Sequence, residues 1–324
     1  MSKKVALVYR KKKPGRHSIE RLFNPLDKLP GVNKVELPCD LNSLINAIKL
    51  FFFSLKIKEK KIHITGDVHY MAIFLFWKRT VITIHDCNHY ESQTGFRKWL
   101  MGLLWYKIPI AFSEKIIVIS PFVKVQLQKH FNVSEEKITI IPNSFQLMNK
   151  KSLGLSYKKF NILIIGTKEN KNLIRLFIAI KDIENIHLQI VGKLNEKQED
   201  SLKEYKISYS NSYNVCQDIL EKFYQSSQML YFASTKEGFG LPILEAQSCG
   251  VPVLTSSTTS MPYVAGDGAL IVDPYSLNEI KEAIFNLKDN KDLRERVIKK
   301  GFNNIKRFDG NQFVVSYLSV YKAL

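Results

Sequence analysis

Apolar residues along the chain fall into short runs separated by longer stretches of helical period, and this alternation sets the first expectations. The runs are rich in β-branched residues: Val5-Ala6-Leu7-Val8-Tyr9, Ile62-His63-Ile64, Val81-Ile82-Thr83-Ile84, Ile116-Ile117-Val118-Ile119 and Ile138-Thr139-Ile140-Ile141. Each is short and nearly continuous, the pattern of a strand covered on both faces of a parallel sheet. A polar, lysine-rich stretch follows, with little apolar periodicity around Met148-Asn149-Lys150-Lys151-Ser152. The pattern then restarts at Phe160-Asn161-Ile162-Leu163-Ile164-Ile165-Gly166 and continues through Leu188-Gln189-Ile190-Val191-Gly192, Met229-Leu230-Tyr231-Phe232-Ala233, Val251-Pro252-Val253-Leu254 and Leu270-Ile271-Val272-Asp273-Pro274. Strands alternating with helices predict α/β architecture with two parallel sheets.

At 324 residues the chain suits two domains of about 150 residues each. The predicted boundaries are a first Rossmann-like domain over 1–148, a linker over 149–158, a second Rossmann-like domain over 159–302, and a C-terminal helix over 303–324 that packs back on the first domain. The formal charge of +18 implies an anionic partner: nucleic acid, anionic lipid or a phosphorylated small molecule. Cys39, Cys87, Cys216 and Cys249 are scattered with no CxxC pair, which points away from a zinc site or a disulfide framework and towards a reducing cytosol. No apolar run approaches the roughly 20 residues that span a bilayer, and the first residues lack the apolar core of a signal peptide.

The chemistry concentrates in Ser234-Thr235-Lys236-Glu237-Gly238-Phe239-Gly240-Leu241-Pro242-Ile243-Leu244-Glu245-Ala246. Here a strand end, a glycine loop, a helix start and two carboxylates succeed one another. Gly238 and Gly240 let backbone approach a ligand where the free amides of the coming helix favour an anion, and Pro242 suits a first helical turn. Ligands of open parallel sheets lie beyond the carboxyl ends of the strands, so Gly166-Thr167-Lys168-Glu169-Asn170-Lys171-Asn172 belongs to the same edge. Lys171 would offer a compact positive charge to a diphosphate there. The absence of G-x-G-x-x-G after the first strands and of G-x-x-x-x-G-K-[ST] argues against a nicotinamide dinucleotide and against P-loop phosphoryl transfer.

The run Glu237 to Ala246, with Gly250-Val251-Pro252-Val253 and Gly266-Asp267-Gly268-Ala269-Leu270-Ile271-Val272-Asp273-Pro274, closely resembles the retaining family 4 glycosyltransferases of GT-B fold. Gly166-Thr167, Asn170-Lys171-Asn172, Val118-Ile119-Ser120 and Ile140-Ile141-Pro142-Asn143 match further landmarks in the same order, so the resemblance spans roughly residues 80 to 290. It implies two Rossmann-like domains facing across a cleft, the first binding the acceptor and the second the nucleotide sugar. It implies that Glu237 holds the donor sugar, Glu245 the ribose hydroxyls and Lys171 the diphosphate. Gly166 and Thr167, together with Gly238, Phe239, Gly240 and Leu241, would line the phosphate and sugar, and His85 would reach the transferred sugar. Glu237, His85 and Lys171 are thus the implied catalytic set.

The implied reaction is metal-independent transfer with retention, from a UDP- or GDP-sugar to a glycan or lipid-linked acceptor, with no further cofactor. Bacterial surface-polysaccharide assembly, lipopolysaccharide or capsule, is the implied setting.

The sequence departs from the family's usual pattern at Tyr263, where Glu is common, and at Ser144, where Gly is common. Its first strand-to-helix turn is also unusual, and makes Gly15, Arg16 and His17 candidates for acceptor or phosphate contacts. Two apolar-aromatic segments with lysines, Leu44 to Lys61 and Phe96 to Lys107, read either as core helices or as interfacial ones. The second reading would set a cytoplasmic protein peripherally on the inner face of the cell membrane. A basic nucleic-acid-binding protein is the main alternative, though the lysines are dispersed and no nucleic-acid motif is present. A metal hydrolase using Gly66-Asp67-Val68-His69 with His85-Asp86-Cys87-Asn88-His89 matches no metal-ligand spacing. A sugar-nucleotide epimerase or phosphorylase of the same fold is the remaining alternative.

Overall fold

The computed structural model describes residues 4–12, 18–145, 148 and 159–324. The linker expected over 149–158 and the turn residues Gly15, Arg16 and His17 lie outside the described residues. The chain forms two compact units, one of residues 1–144 with 310–324 and one of residues 145–309.

The first unit holds strands β1 (Val5–Tyr9), β2 (Val32–Glu36), β3 (Lys61–Ile64), β4 (Arg79–Ile84), β5 (Lys115–Val118) and β6 (Ile138–Ile140). They form one sheet in the order β2-β1-β3-β4-β5-β6, and every pairing is parallel. Between them run α1 (Ser18–Asp27), α2 (Leu44–Leu55), α3 (Asn88–Glu91), α4 (Gly95–Met101), α5 (Ile108–Phe112) and α6 (Pro121–Phe131). A 3-10 segment, His69–Leu75, follows β3, and a π-helical stretch, Gly102–Lys107, joins α4 to α5. Local chemistry marks several ends. Ser43 caps α2 by accepting from the Asn46 amide, Ser120 caps α6 through Val123, and α6 stops at Asn132 in the left-handed region.

The second unit carries β7 (Phe160–Ile165), β8 (Ile186–Val191), β9 (Tyr209–Ser212), β10 (Met229–Phe232), β11 (Val253–Ser256) and β12 (Leu270–Val272). Their order is β12-β11-β10-β7-β8-β9, again all parallel. Its helices are α7 (Leu173–Ile180), α8 (Glu196–Glu204), α9 (Gln217–Ser226), α10 (Leu241–Cys249), α11 (Met261–Ala265), α12 (Leu277–Asp289) and α13 (Lys291–Asn304). Strand order reverses between β7 and β10, so the loops leaving those two adjacent strands open side by side at the crevice where such sheets bind ligands. In the first unit the reversal falls between β1 and β3.

Central strands are buried on both faces, β1, β3, β10 and β11 along their whole lengths. The second unit's core gathers Ile162, Leu176, Phe177, Leu188, Tyr231 and Ile284. The last helix, α14 (Gly310–Ala323), adds Phe313, Tyr317, Val320 and Tyr321 to the first unit's core beside Tyr9, Phe23 and Ile117. That helix is held by polar contacts as well. The His63 ring bridges Tyr321 Oη at 2.6 Å and Thr83 Oγ1 at 2.8 Å, and the Lys61 ammonium donates to the Tyr321 carbonyl.

Candidate active site

In the second unit the loop after β7 and the loop after β10 build one constellation. Gly166 follows β7 directly with φ of +89°, a conformation natural to glycine, and a Cβ there would come within 2.9 Å of Lys171 Cε. The missing side chain leaves room for the lysine to run back across the loop. Its ammonium lies 4.2 Å from the centre of the Phe232 ring and 2.5 Å from Glu237 Oε1. Both partners are largely withdrawn from solvent, with side chains 16% and 20% exposed.

Asn170 completes the arrangement from the same short turn. Its amide nitrogen donates to Glu237 Oε1 at 3.0 Å and to the Lys236 carbonyl at 2.8 Å, and its own carbonyl accepts from the Thr235 amide at 2.8 Å. Among the described residues both side-chain donors therefore reach Oε1 rather than Oε2. From the other side Ser260, fully buried, donates towards the Glu237 carbonyl at 3.1 Å and the Phe239 carbonyl at 2.9 Å. Asn172, at φ of +62°, bonds the Ala233 and Pro274 carbonyls at 3.2 and 2.6 Å and starts α7. The loop carrying Glu237 is thus fixed by side chains from two other segments.

The chain then turns into α10. Gly240 sits at the helix N-cap with φ of +107°, Pro242 occupies the first turn, and Gly250 in the left-handed region ends the helix. Phe239 is buried against Phe308. Glu245 projects from α10 and accepts a hydrogen bond from Tyr224 of α9 at 2.7 Å. Tyr224 is fully buried, so this carboxylate is oriented by a rigid neighbour. Thr167 is turned the other way, its hydroxyl donating to the Lys193 carbonyl at 2.6 Å while its carbonyl accepts from Gln198.

His85 belongs to the first unit and follows β4 directly. Its Nε2 contacts the Thr65 carbonyl at 2.7 Å, and because a carbonyl can only accept, Nε2 carries the proton and Nδ1 is left as the acceptor. Burial lowers the ring's pKa, favouring the neutral form. Gly66 makes space for that ring, since a Cβ there would collide with its Cδ2 at 2.5 Å. At the same sheet edge Arg10 binds Asp67 at 2.5 Å and Glu20 at 3.2 Å. Among the described residues no three His, Cys, Asp or Glu side chains gather in a way that would hold a metal ion.

Glu237, Glu245 and Lys171 stand out in the sequence, and the fold sets Lys171 and Glu237 in direct contact. Asn170 and Tyr224, which contact the two carboxylates, and Ser260, which holds the backbone of the Glu237 loop, have no role in the sequence reading. Asn170 lies in the Asn170-Lys171-Asn172 landmark and Ser260 in the segment Ser260 to Val264 that carries the departure at Tyr263, the signals that could have found them; Tyr224 comes from a distant segment and carries none.

The family model described as Glycosyl transferases group 1 matches residues 146–304, and the one described as Glycosyltransferase Family 4 matches residues 6–147. O-antigen chain mannosyltransferase B of Escherichia coli is 37% identical over 32% of this chain, a stretch that spans 28% of that relative's own length. O-antigen chain mannosyltransferase RfbU of Salmonella typhimurium is 26% identical over 72% of this chain and 69% of its own. Among solved structures, Anabaena HepE in complex with UDP and glucose superposes with a TM-score of 0.75 at 15% identity, covering 99% of this chain and 100% of that one. With its two parallel six-stranded sheets and family models matching both units, the chain belongs to the family 4 glycosyltransferases of GT-B fold.

Proposed function

We propose that this glycosyltransferase moves a hexose from a UDP- or GDP-sugar to a hydroxyl of a glycan or lipid-linked acceptor, with retention, without metal or further cofactor, in bacterial surface-polysaccharide synthesis. The observation that carries the reading is the Lys171–Glu237 pair at the mouth of β7 and β10, beside the N-terminus of α10. A cation, a carboxylate and a helix N-terminus within one crevice suit a ligand that is a diphosphate at one end and a polyol at the other. The O-antigen mannosyltransferase relatives and the UDP-bound neighbour favour mannose as a sugar, UDP as a nucleotide and polysaccharide assembly as the setting.

In this reading Lys171 and the backbone of Gly166, Thr167, Gly238, Phe239, Gly240 and Leu241 receive the diphosphate. Glu237 Oε2 takes sugar hydroxyls, and Glu245 takes the ribose. The bond from the anomeric carbon to the β-phosphate oxygen breaks with its electron pair leaving on phosphate. The acceptor oxygen bonds the same carbon on the same face, and its proton passes to the departing phosphate oxygen. Lys171 stabilises the charge that grows on that oxygen, the contribution expected to be largest. His85, neutral and with Nδ1 as acceptor, would serve a sugar hydroxyl. Gly15, Arg16 and His17 would contact acceptor or phosphate, and the protein would act on the cytoplasmic side of the membrane.

A thermal-shift screen across UDP-, GDP-, ADP- and CMP-sugars tests the donor, since a ligand bound only by the folded state raises its apparent stability. A rise with a UDP- or GDP-sugar alone is expected, followed by a product of unchanged anomeric configuration whose formation survives EDTA. No shift with any of them, an inverted product, or loss of activity on chelation that is restored by a divalent ion would each remove the corresponding part of the proposal.

A further inference from the structure

Helix α2 is built inside out. Its inward side holds Leu50 and Ser54, both fully buried, whereas Leu44, Ile45, Ile48, Phe51, Phe52 and Leu55 face solvent, Leu44 at 78%, Ile45 at 66% and Phe52 at 59% exposure. At about 100° per residue these six fall within an arc of about 120°, so they form one continuous stripe away from the buried side. Lys49 and Lys56, one above the other on a shoulder of that stripe, are exposed, as are Lys58 and Lys60 beyond the helix end. Between Leu44 and Leu55 there is no acidic residue.

Further exposed aromatics occur in the same unit. Phe96 and Trp99 of α4 stack at 5.5 Å, and Phe76 packs edge-on to Trp77 at 5.0 Å just past the 3-10 segment against which α2 packs. We propose that this α2 face docks on an anionic bilayer surface, with the stripe in the headgroup boundary and the lysines on lipid phosphates. Charge complementarity selects that occupant. A lysine shoulder beside a carboxylate-free apolar stripe fits an anionic, apolar-cored partner, whereas a second copy would bring like charges together in a chain of net charge +18.

The face is tied to the strand ends of its own sheet. The Leu41 amide, just ahead of α2, donates to Tyr70 Oη at 3.4 Å, and the Tyr70 ring packs edge-on to Trp105 at 5.1 Å. Trp105 Nε1 donates to the Asp67 carbonyl and Tyr106 Oη to the Asp86 carbonyl, both at 3.3 Å. The π-helical stretch brings these two consecutive side chains onto the loops after β3 and β4. Docking through α2 therefore holds those loops close to the lipid surface, and, resting on the transferase reading above, the acceptor is a lipid-anchored one.

The test is co-sedimentation of the full chain with phosphatidylcholine vesicles, with and without phosphatidylglycerol, at low and moderate salt. Binding to the mixed vesicles that weakens severalfold with salt is expected. Ile48→Ser with Phe52→Ser, and separately Lys49→Glu with Lys56→Glu, should each weaken it about tenfold or more while leaving the nucleotide-sugar thermal shift unchanged. Failure of the wild type to bind mixed vesicles at low salt would overturn the proposal, as would equal binding by all three proteins. So would a dimer seen by sedimentation velocity that the α2 substitutions dissociate. The donor shift is read on the same samples. Vesicle binding without a donor shift supports docking and removes the acceptor assignment, whereas a donor shift without vesicle binding removes docking and leaves the transferase.

Discussion

The residues of the second unit's site act in pairs, and the pairs set what substitutions should do. Glu237→Gln keeps the shape and the Asn170 contact but removes the charge facing Lys171, and Lys171→Ala removes the cation proposed for the leaving diphosphate. Each should lower turnover by about 10² or more, measured with the pure folded protein; near-normal transfer by either would remove its assigned role. Tyr224→Phe is a finer probe. It removes one buried donor from Glu245 and should raise the donor KM about tenfold with a smaller change in kcat, the scale of a hydrogen bond to a charged group. An equal fall in kcat with an unchanged KM would place Glu245 elsewhere than on the nucleotide. The two glutamates and Lys171 were legible because their spacing around glycines is itself a local signal. Tyr224 and Ser260 were not, because each reaches the site from a different part of the chain and no local pattern marks a hydroxyl that will be buried against a carboxylate, as Tyr224 is, or against loop carbonyls, as Ser260 is.

At the level of elements, legibility followed burial. The central strands are covered on both faces and read directly as apolar runs, from Val5 to Tyr9 and from Met229 to Phe232. The edge strands β2 and β9 escaped, since VNKVE and YSNS are half exposed and carry no such run. The π-helical stretch escaped for a different reason, because a widened turn leaves the apolar content of a helix unchanged. The glycine at the head of α10 tests whether backbone geometry there matters as much as side chains. Gly240→Ala would put a Cβ 3.2 Å from Met261 Sδ and 3.3 Å from Ile243 Cδ1, in a conformation where L side chains are strained. It should destabilise the second unit by about 1–3 kcal/mol and weaken nucleotide-sugar binding, read by urea unfolding and by the thermal shift. Wild-type stability and affinity in that variant would mean that the helix start tolerates an ordinary residue.

For the whole molecule, stability against acid should depend on histidines in the unit that α14 completes. Burial holds His63 down to about 3, with the neighbouring His85 adding to the effect, and holds His69 down to about 4. Both are therefore neutral in the folded protein at pH 5, whereas in the unfolded chain they take up protons below about 6.5. The sign follows from linkage. The unfolded state binds the extra protons, so stability is intact above about 6.5 and declines as pH falls towards 4, by about 1.4 kcal/mol per pH unit for each histidine once well below 6.5. His63 cannot escape by local fraying, because its ring joins α14 through Tyr321 to β4 through Thr83, so protonating it means loosening the helix from the sheet. The three tryptophans, Trp77, Trp99 and Trp105, all lie in this first unit, so their fluorescence follows its unfolding selectively. Urea midpoints by tryptophan emission should fall between pH 7 and pH 5, and His63→Gln should flatten the slope by up to one proton's worth while costing some stability at pH 7. A midpoint independent of pH across that range, or an unchanged slope in the variant, would mean that His63 accepts a proton without releasing α14.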